Sequence, residues 1–314
     1  MTNSEAIQFE RTTEKHLSAV SQFISLQTGN EKATPSYLQW WFLKNSVSCS
    51  LQHVELNGNI AGIAATNNFR INFQGAQHLV AMPQKVLTDS RLRGQGLFSK
   101  LYLKTEEENL KVNHVDFFLT FTNEASTPVF LRKLGYKKGI SPDVFLIFPG
   151  ISNLFSRKKY EVTSNLEQRD DYRFSATGFN NSFIKDDIYF KWRYFSFEDD
   201  IVMITHRHEH KPEAIFLKRV VKSKIPFYAV LDIVSESEES ASLLIRYALN
   251  YSVRNFSAGL MALNHQRVEP VFKKFIRYRV RSRFHFLVKG KNETETESLA
   301  QTKFNFTFGD LDFI

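Results

Sequence analysis

The two halves of the sequence carry the same segments in the same order, and this feature constrains the fold more than any other. "YLQWWF" at 37–42 resembles "YFKWRY" at 189–194, and "PVFLRKLGY" at 128–136 resembles "PVFKKFIRY" at 270–278. Two matches in the same order and at nearly equal separation indicate a duplication. The chain has 314 residues, which suits two domains of about 150 residues each. We therefore predict two copies of one fold.

The segments that precede the second pair of matches also resemble each other. Both are apolar, strand-like runs that end in asparagine: "VDFFLTFTN" at 115–123 and "FSAGLMALN" at 256–264. Between the copies, near the predicted boundary at 150–165, residues 149–165 mix proline, glycine, serine and charged residues, which is typical of a linker. We therefore predict one domain over 1–150 and a second over 151–314.

The first half contains a unit of strand, glycine-containing loop, helix and strand. Residues 78–88 form an apolar run with strand pattern, and a helical pattern follows over Leu97–Lys111. The run at 115–123 is almost continuously apolar, as expected for a strand that is covered on both faces. A strand, a crossover helix and a second strand form a parallel pair. The sequence therefore predicts adjacent parallel strands joined by this helix.

The second half repeats this unit without its glycines. Residues 225–235 predict the strand and "EESASLLIRYALNYSV" predicts the helix. The loop between them is "SESEES", which carries three glutamates. Carboxylates at this place repel an anionic ligand. We therefore predict that only the first half binds an anion here.

Composition excludes several classes of protein. The chain is 42% hydrophobic with 30 Phe, so it can bury a large core and is not of the disordered type. The net charge of +8 suits an anionic partner or simply solubility, and the sequence has no lysine or arginine block that would predict nucleic-acid binding. The single cysteine, Cys49, excludes an internal disulfide and a four-cysteine metal site.

Neither a membrane span nor an export signal is predicted. No apolar run approaches the ~20 residues that cross a bilayer. The segment "MTNSEAIQFERTTEKH" lacks the charged and apolar regions of a signal peptide. We therefore expect a cytoplasmic location.

The segment "HRHEHK" contains three histidines at alternating positions, which are His206, His208 and His210. On a strand these side chains share one face, so they have the geometry to hold a metal. No carboxylate or cysteine completes the set at the usual spacing, so no metal site is predicted.

The stretch "SRLRGQGLFSKLY" at 90–102 raises the question of what its two glycines do. A helix amino terminus exposes unpaired amides with a partial positive charge, and glycines before it let a phosphate approach the backbone. A Walker loop is excluded because Leu97 and Phe98 follow Gly96 instead of Lys-Ser/Thr. A dinucleotide fingerprint would place a third glycine where Ser99 stands. A plain left-handed turn at a helix start is the remaining alternative.

The surrounding motifs resemble those of the GCN5-related N-acetyltransferase (GNAT) superfamily. Its pyrophosphate motif, Gln/Arg-x-x-Gly-x-Gly/Ala, is matched by Arg91-Leu92-Arg93-Gly94-Gln95-Gly96. Its later motif, a strand ending in asparagine and a helix ending in Gly-Phe/Tyr, is matched by Asn123 and "VFLRKLGY". The order of elements is similar over residues 8–148, and the specific motifs lie within 86–136.

The resemblance implies an α/β fold in which each of two tandem GNAT domains has a mixed sheet flanked by helices. It implies acetyl-coenzyme A as co-substrate, without a metal. The amides of residues 94–99 would bind the pyrophosphate, the main chain of Val86–Thr88 would pair with the pantetheine arm, and Asn123 would approach that arm. The implied cofactor-binding residues are Val86, Leu87, Thr88, Arg91, Arg93, Gly94, Gln95, Gly96, Leu97, Phe98, Ser99 and Asn123.

The groups that move protons are less well defined by the resemblance. The tyrosine that usually protonates the leaving thiolate is replaced by Leu131. Tyr136 is the substitute candidate, with a buried core aromatic as the alternative. The candidates for the general base are His78, with an exposed strand-end histidine as the alternative, and Glu124, with helix capping at Asn123–Ser126 as the alternative. The candidate catalytic set is therefore Asn123, Tyr136, Glu124 and His78.

These observations predict an N-acetyltransferase that moves an acetyl group from acetyl-coenzyme A to the amine of a small molecule. The resemblance to tandem bacterial members of the superfamily suggests an amino sugar or a sugar nucleotide as the acceptor. The alternatives are an aminoacyl-tRNA-dependent transferase of the peptidoglycan-bridge type and a non-catalytic coenzyme A-binding or scaffold protein. The second half is predicted to close the acceptor pocket or to serve a structural role. The oligomeric state is left open.

Overall fold

The chain forms two compact units. The computed structural model describes residues 7–151, 160–164, 166, 173–176, 180–197, 199–207, 212–264, 268–280 and 284–311. The first unit consists of Met1–Ile140 with Arg283–Thr302, and the second of Ser141–Ser282 with Lys303–Phe313. The predicted bounds were 1–150 and 151–314; in the structure, residues 141–150 belong to the second unit and residues 283–302 to the first.

The first unit is built on one mixed sheet. Its strands are β1 (Gln8–Arg11), β2 (Ser48–Leu56), β3 (Asn59–Phe73), β4 (Ala76–Thr88), β5 (Phe117–Thr122), β6 (Lys137–Lys138) and β15 (His285–Lys289). Their order is β1-β2-β3-β4-β5-β15-β6. All neighbours are antiparallel except β4 and β5, which are parallel as predicted.

Helices cover this sheet. They are α1 (Leu17–Thr28), α2 (Pro35–Leu38), α3 (Leu97–Lys111), α4 (Thr127–Lys133) and α8 (Glu293–Ala300). Among them, α2 continues as a π-helix over Gln39–Leu43. One core cluster joins Tyr102 of α3 and Phe130 of α4 to Phe118 of β5. The apolar side chains that produced the helical and strand patterns therefore meet in one core.

The second unit repeats this layout. Its strands are β7 (Val144–Phe148), β8 (Glu161–Thr163), β9 (Ser182–Phe183), β10 (Ile201–Arg207), β11 (Pro212–Lys222), β12 (Ile225–Val234), β13 (Leu260–Leu263) and β14 (Ile276–Val280). Its main sheet has the order β14-β7-β13-β12-β11-β10-β8. Its helices are α5 (Asp187–Phe190), α6 (Glu238–Arg254) and α7 (Glu269–Phe272). No helix in the described ranges is both long and apolar enough to cross a membrane.

Matching elements confirm the duplication. Like α2, α5 continues as a π-helix, over Lys191–Phe195. Both short helices begin at a capping side chain, since Thr34 accepts a bond from the amide of Tyr37 and Asp186 from that of Tyr189. The parallel pair also recurs, because β12 and β13 are joined by α6 as β4 and β5 are joined by α3. The predicted fold class, two α/β units with mixed sheets and flanking helices, is confirmed.

Each sheet contains a strand from the other half of the sequence. β7 pairs with β13 and β14, and β15 pairs with β5. After Gly135 the chain forms β6, breaks, and enters the second sheet as β7. At the break, Gly139 lies so close to Phe286 that an added Cβ would be 2.7 Å from its ring. β7 and β15 have similar apolar patterns, so the pattern alone does not assign either strand to a sheet.

Candidate functional site

The two glycines of the loop at 93–96, here called the glycine loop, are required by the backbone. Gly94 and Gly96 have φ angles of 83° and 76°, in the left-handed region that favours glycine. A Cβ added at either residue would meet no atom within 4 Å. Space over the loop is therefore open, and the backbone is accessible to a ligand.

The amino terminus of α3 is not capped by a side chain. Its N-cap residue is Gly96, and no acidic residue lies in its first turn. The amides of Leu97, Phe98 and Ser99 have no acceptor within the helix, because the first turn of a helix leaves its N–H groups unpaired. Together with the helix dipole, these amides have the charge and the direction that suit an anion.

The two arginines of the motif differ in their surroundings. The guanidinium of Arg91 is bound to Asp89, with Nη2 2.6 Å from Oδ2 and Nε 3.1 Å from Oδ1. These bonds from Arg91 hold the pKa of Asp89 below its usual range. Arg91 is nevertheless 86% exposed, and Arg93 is exposed as well. The positive charge of Arg93 is therefore less neutralised than that of Arg91, which is paired with Asp89.

β4 and β5 part before β4 reaches its end at Thr88, five residues ahead of the glycine loop. They pair only at Val80–Phe117 and Ala81–Phe118, after which β5 continues along β15. Where they part, the hydroxyl of Thr120 donates to the carbonyl of Pro83 at 2.8 Å. Beyond this point, among the described residues, no strand pairs with the β5-facing edge of β4 up to Thr88. We call this gap the parted-strand slot, and the edge of β4 at Val86–Thr88, which no described strand covers, suits an extended ligand chain.

A groove of about 190 Å³ opens beside the glycine loop. It lies between the sheet, represented by Val54 and Ala61, and the loop and helix, represented by Gln95, Leu97 and Lys100. Its lining is largely apolar with one cation, Lys100, which gives room beside the glycine loop for a less polar group.

The fold can now be compared with known proteins. No protein-family model and no curated protein matches the sequence. A GCN5-related N-acetyltransferase from Anabaena variabilis superimposes with a TM-score of 0.65 at 12% identity, over 94% of this chain and 75% of that one. One from Kribbella flavida gives 0.62 at 12% identity, over 95% and 74%. Eis1 from Mycobacterium abscessus gives 0.55 at 12% identity, over 95% and 76%. The chain has the fold of the GCN5-related N-acetyltransferases.

In this GNAT fold, Asn123 lies at the end of β5 and organises the turn into α4. Its Oδ1 accepts bonds from the amides of Ala125 and Ser126 at 3.1 and 3.0 Å, and from the hydroxyl of Ser126 at 3.1 Å. Asn123 and Glu124 are both exposed. The local geometry is that of the capping alternative, and the predicted contact of Asn123 with pantetheine stays a prediction.

Tyr136 lies in the core of the GNAT fold of the first unit. It is 2% exposed, and its hydroxyl is hydrogen-bonded to that of Tyr102. Burial raises the pKa of both phenols well above the usual value. Leu131, at the family's tyrosine position, is partly buried against the same core. The structure thus places Tyr136 as the core aromatic of the alternative interpretation.

His78 lies at the opposite end of β4 from the glycine loop. At ~3.3 Å per strand residue, roughly 30 Å of strand separates it from Thr88. Its ring packs edge-on against Phe73, and its Nδ1 is 3.4 Å from Asp116 Oδ2. The structure therefore separates His78 from the end of the slot at Thr88 and from the glycine loop.

A polar network that no sequence pattern predicted lies behind the slot. β4 carries an extra residue, Gln84, opposite Ala65 and Thr66 of β3. The Oε1 of Gln84 accepts bonds from Trp41 Nε1 at 2.6 Å and Asn67 Nδ2 at 3.2 Å. These bonds hold the bulged segment of β4 where the strands part. The signal in the sequence was a glutamine directly after proline within an apolar strand.

In the second unit, the corresponding helix start is closed by the protein's own side chains. Ser237 caps α6 by accepting a bond from the amide of Ser240 at 3.1 Å, and Glu238 and Glu239 lie in the first turn. The carboxylate of the buried Glu213 accepts a bond from the amide of Glu236 at 2.8 Å. The Ser237 cap and the Glu213 carboxylate bind backbone amides at this helix start, and the glutamates of the first turn add negative charge. An anion is therefore disfavoured here.

The parted strands of the second unit enclose a buried ion cluster instead of an open slot. Lys185 Nζ lies 2.5 Å from Asp232 of β12 and 2.7 Å from Asp310, and donates to Thr307 Oγ1 at 2.6 Å. Burial opposes the charge on Lys185, but the two carboxylates outweigh it and raise its pKa. The remaining cavity is about 10 Å³, roughly the space of one water. The signal in the sequence was Asp232, a carboxylate within an apolar strand.

Proposed function

We propose that this chain is an acyl-coenzyme A-dependent N-acyltransferase that moves an acetyl group from acetyl-coenzyme A to the amine of a small molecule. The observation that carries the proposal is the uncapped amino terminus of α3, behind two left-handed glycines and beside the parted-strand slot. An anion site next to a free strand edge suits a ligand with a diphosphate at one end and an amide-bearing arm at the other.

The donor would bind along this surface through the main chain. The amides of Leu97, Phe98 and Ser99 and the glycine loop would hold the diphosphate. The free edge of Val86–Thr88 would pair with the amides of the pantetheine arm, as an added strand does. Arg93 would supply charge, and the groove at Lys100 would take a less polar part of the donor.

The reaction consists of one acyl transfer between bound reactants. The neutral amine attacks the thioester carbonyl, a C–N bond forms and the C–S bond breaks. The ammonium proton is released and the leaving thiolate takes a proton. Tyr136 and His78 lie outside the slot, so we propose that alignment of the reactants supplies most of the rate and that water carries the protons. Glu124, exposed at the end of β5, stays the candidate carboxylate base.

The second unit would serve the structure or the acceptor and not the donor, because its helix start and its slot are filled by its own side chains. Amino sugars and sugar nucleotides are the first acceptors to test. Of the basic residues on β14, Arg277 lies over the ring of Phe145 at 4.7 Å and Arg279 is 2.7 Å from Asp143. Contacts within the unit thus engage both side chains.

Two measurements test the proposal. Calorimetry of the whole chain with coenzyme A should show binding, and acetyl-coenzyme A mixed with a panel of amines should release free thiol. Binding without thiol release would favour the non-catalytic alternative, which Leu131 and the buried Tyr136 support. Absence of binding, together with transfer from aminoacyl-tRNA, would favour the aminoacyl-transferase.

The protein's own thiol should not disturb such a thiol assay. Burial raises the pKa of Cys49 to about 11, so its thiolate fraction at pH 8 is roughly 100-fold below that of a free cysteine. We expect Ellman's reagent to label the native chain about 100-fold more slowly than the denatured chain, and the native rate to rise with pH up to about 11. The variant Cys49→Ser has no thiol and gives the background signal of the reagent. Equal labelling rates for native and denatured protein would contradict the burial of this thiol.

A further inference from the structure

A cluster of metal-ligating side chains lies on β1, β2 and the turn that follows β1. Glu10, His16 and His53 each place one ligand atom within 4.8 Å of the other two. We call these three residues the histidine cluster. Successive strand residues point to opposite faces, and Val54 packs against α3, so His53 lies on the face of the sheet away from α3 and the glycine loop. The cluster is thus separate from the proposed donor site.

The fold brings the three residues together through regular pairing. Glu10 is directly opposite His53 in the β1–β2 ladder, so the two side chains share a face. The chain then bonds back to β2, with the amide of Thr12 2.7 Å from the carbonyl of Leu51. A short 3-10 turn over Glu14–His16 places the ring of His16 4.6 Å from that of His53.

His53 gives an independent indication of a ligand. Its side chain is fully buried, its Nδ1 is 2.9 Å from Thr12 Oγ1, and its Nε2 has no hydrogen-bond partner among the described residues. A buried polar atom without a partner costs free energy, so such atoms are rare. If Nδ1 donates its proton to Thr12, the lone pair of Nε2 is free to bind a cation. Metal-binding histidines are oriented by such a bond from the second ring nitrogen.

We propose that Glu10, His16 and His53 bind a divalent transition-metal ion of the Zn²⁺ class. Two imidazoles and one carboxylate are ligands that zinc accepts, with water in the fourth position. Glu55, whose Oε1 is 3.5 Å from His53 Nε2, adds a second negative charge beside the cation. Ligand atoms around tetrahedral zinc lie ~3.3 Å apart, so small side-chain shifts close the site. Ligation by His16 replaces the bond that its Nδ1 accepts from the amide of Thr13 at 3.0 Å.

Zinc binding by the tag-free, chelator-treated chain tests this proposal. His206–His210 contains competing histidines, so the background variant is His208→Gln with His210→Gln. In this background we expect one Zn²⁺ per chain by calorimetry. Thermal unfolding should shift upward by about 5–10 °C when free Zn²⁺ is 100-fold above its dissociation constant.

Single substitutions locate the ion. Glu10→Gln keeps the size of an exposed side chain, and His16→Gln removes one imidazole; each should weaken Zn²⁺ binding at least 10-fold. Glu31→Gln, an exposed carboxylate on the loop after α1, is the matched control and should bind as the background does. Lack of saturable Zn²⁺ binding in the background, or equal affinity in Glu10→Gln and the background, overturns the proposal. Neither outcome bears on coenzyme A binding.

Discussion

Replacing Ser99 with glutamate should lower the affinity for coenzyme A about 10- to 100-fold. Ser99 lies in the first turn of α3, where the amides would hold the diphosphate. A carboxylate there would lie ~6 Å from a group of about two negative charges. At an effective dielectric constant of about 40–80, the repulsion is about 1.4–2.8 kcal/mol, which gives this range of affinities. Calorimetry with coenzyme A measures the loss.

The same substitution should leave the protein folded, because a negative charge in the first turn stabilises a helix by about 0.3–1 kcal/mol. Ser99→Gln, which has the same size without the charge, is the matched control and should bind coenzyme A within about threefold of the wild type. The difference between the two variants should shrink at high salt, since exposed charges are screened. Equal affinities for Ser99→Glu and Ser99→Gln would show that the diphosphate lies elsewhere.

Lys185→Met should cause the largest loss of stability. Lys185 is 5% exposed and is the cation shared by Asp232 and Asp310, which are 2% and 0% exposed. Removing it leaves two buried carboxylates without their partner, a change that costs about 3–5 kcal/mol. The melting temperature of the second unit should fall by roughly 6–20 °C. Thermal unfolding followed by tryptophan fluorescence measures this change.

Two further variants test the cause of this loss. Lys191→Met removes an exposed lysine 3.7 Å from Asp187 in the same unit and should cost less than about 1 kcal/mol. Adding Asp232→Asn to Lys185→Met should recover part of the stability, because one unpaired charge is removed. Affinity for coenzyme A, measured below the melting temperature, should not change. A loss no larger than that of Lys191→Met would contradict the role of the cluster.

The elements around the glycine loop were predictable because local signals determine them. The helix predicted over Leu97–Lys111 has these bounds in the structure, since glycines mark its start and its apolar residues recur at helical spacing. The turn between β2 and β3 is local in the same way, since Asn57 and Gly58 both have positive φ, which these residue types tolerate. The duplication was visible because aromatic pairs around tryptophan are rare and recur in order.

The remaining features depend on contacts between distant parts of the chain. The sequence does not predict that β7 pairs in the second sheet and β15 in the first, because the apolar pattern of either strand fits either sheet. The glutamates at the start of α6 predicted an altered loop, but the carboxylate that binds the amide of Glu236 comes from Glu213 on β11. The proton-transfer candidates Tyr136 and His78 were chosen by residue type, and only the structure shows one in the core and the other at the far end of β4.

In the proposed function, the amino terminus of α3 binds the diphosphate of coenzyme A and its counterpart at α6 does not. The most direct measurement is a calorimetric titration of the whole chain with coenzyme A and, in parallel, with pantetheine, which lacks the diphosphate. We predict that one coenzyme A binds per chain and that the affinity for pantetheine is at least 10-fold lower. Equal affinity for the two ligands, two coenzyme A molecules per chain, or no binding of coenzyme A would contradict it.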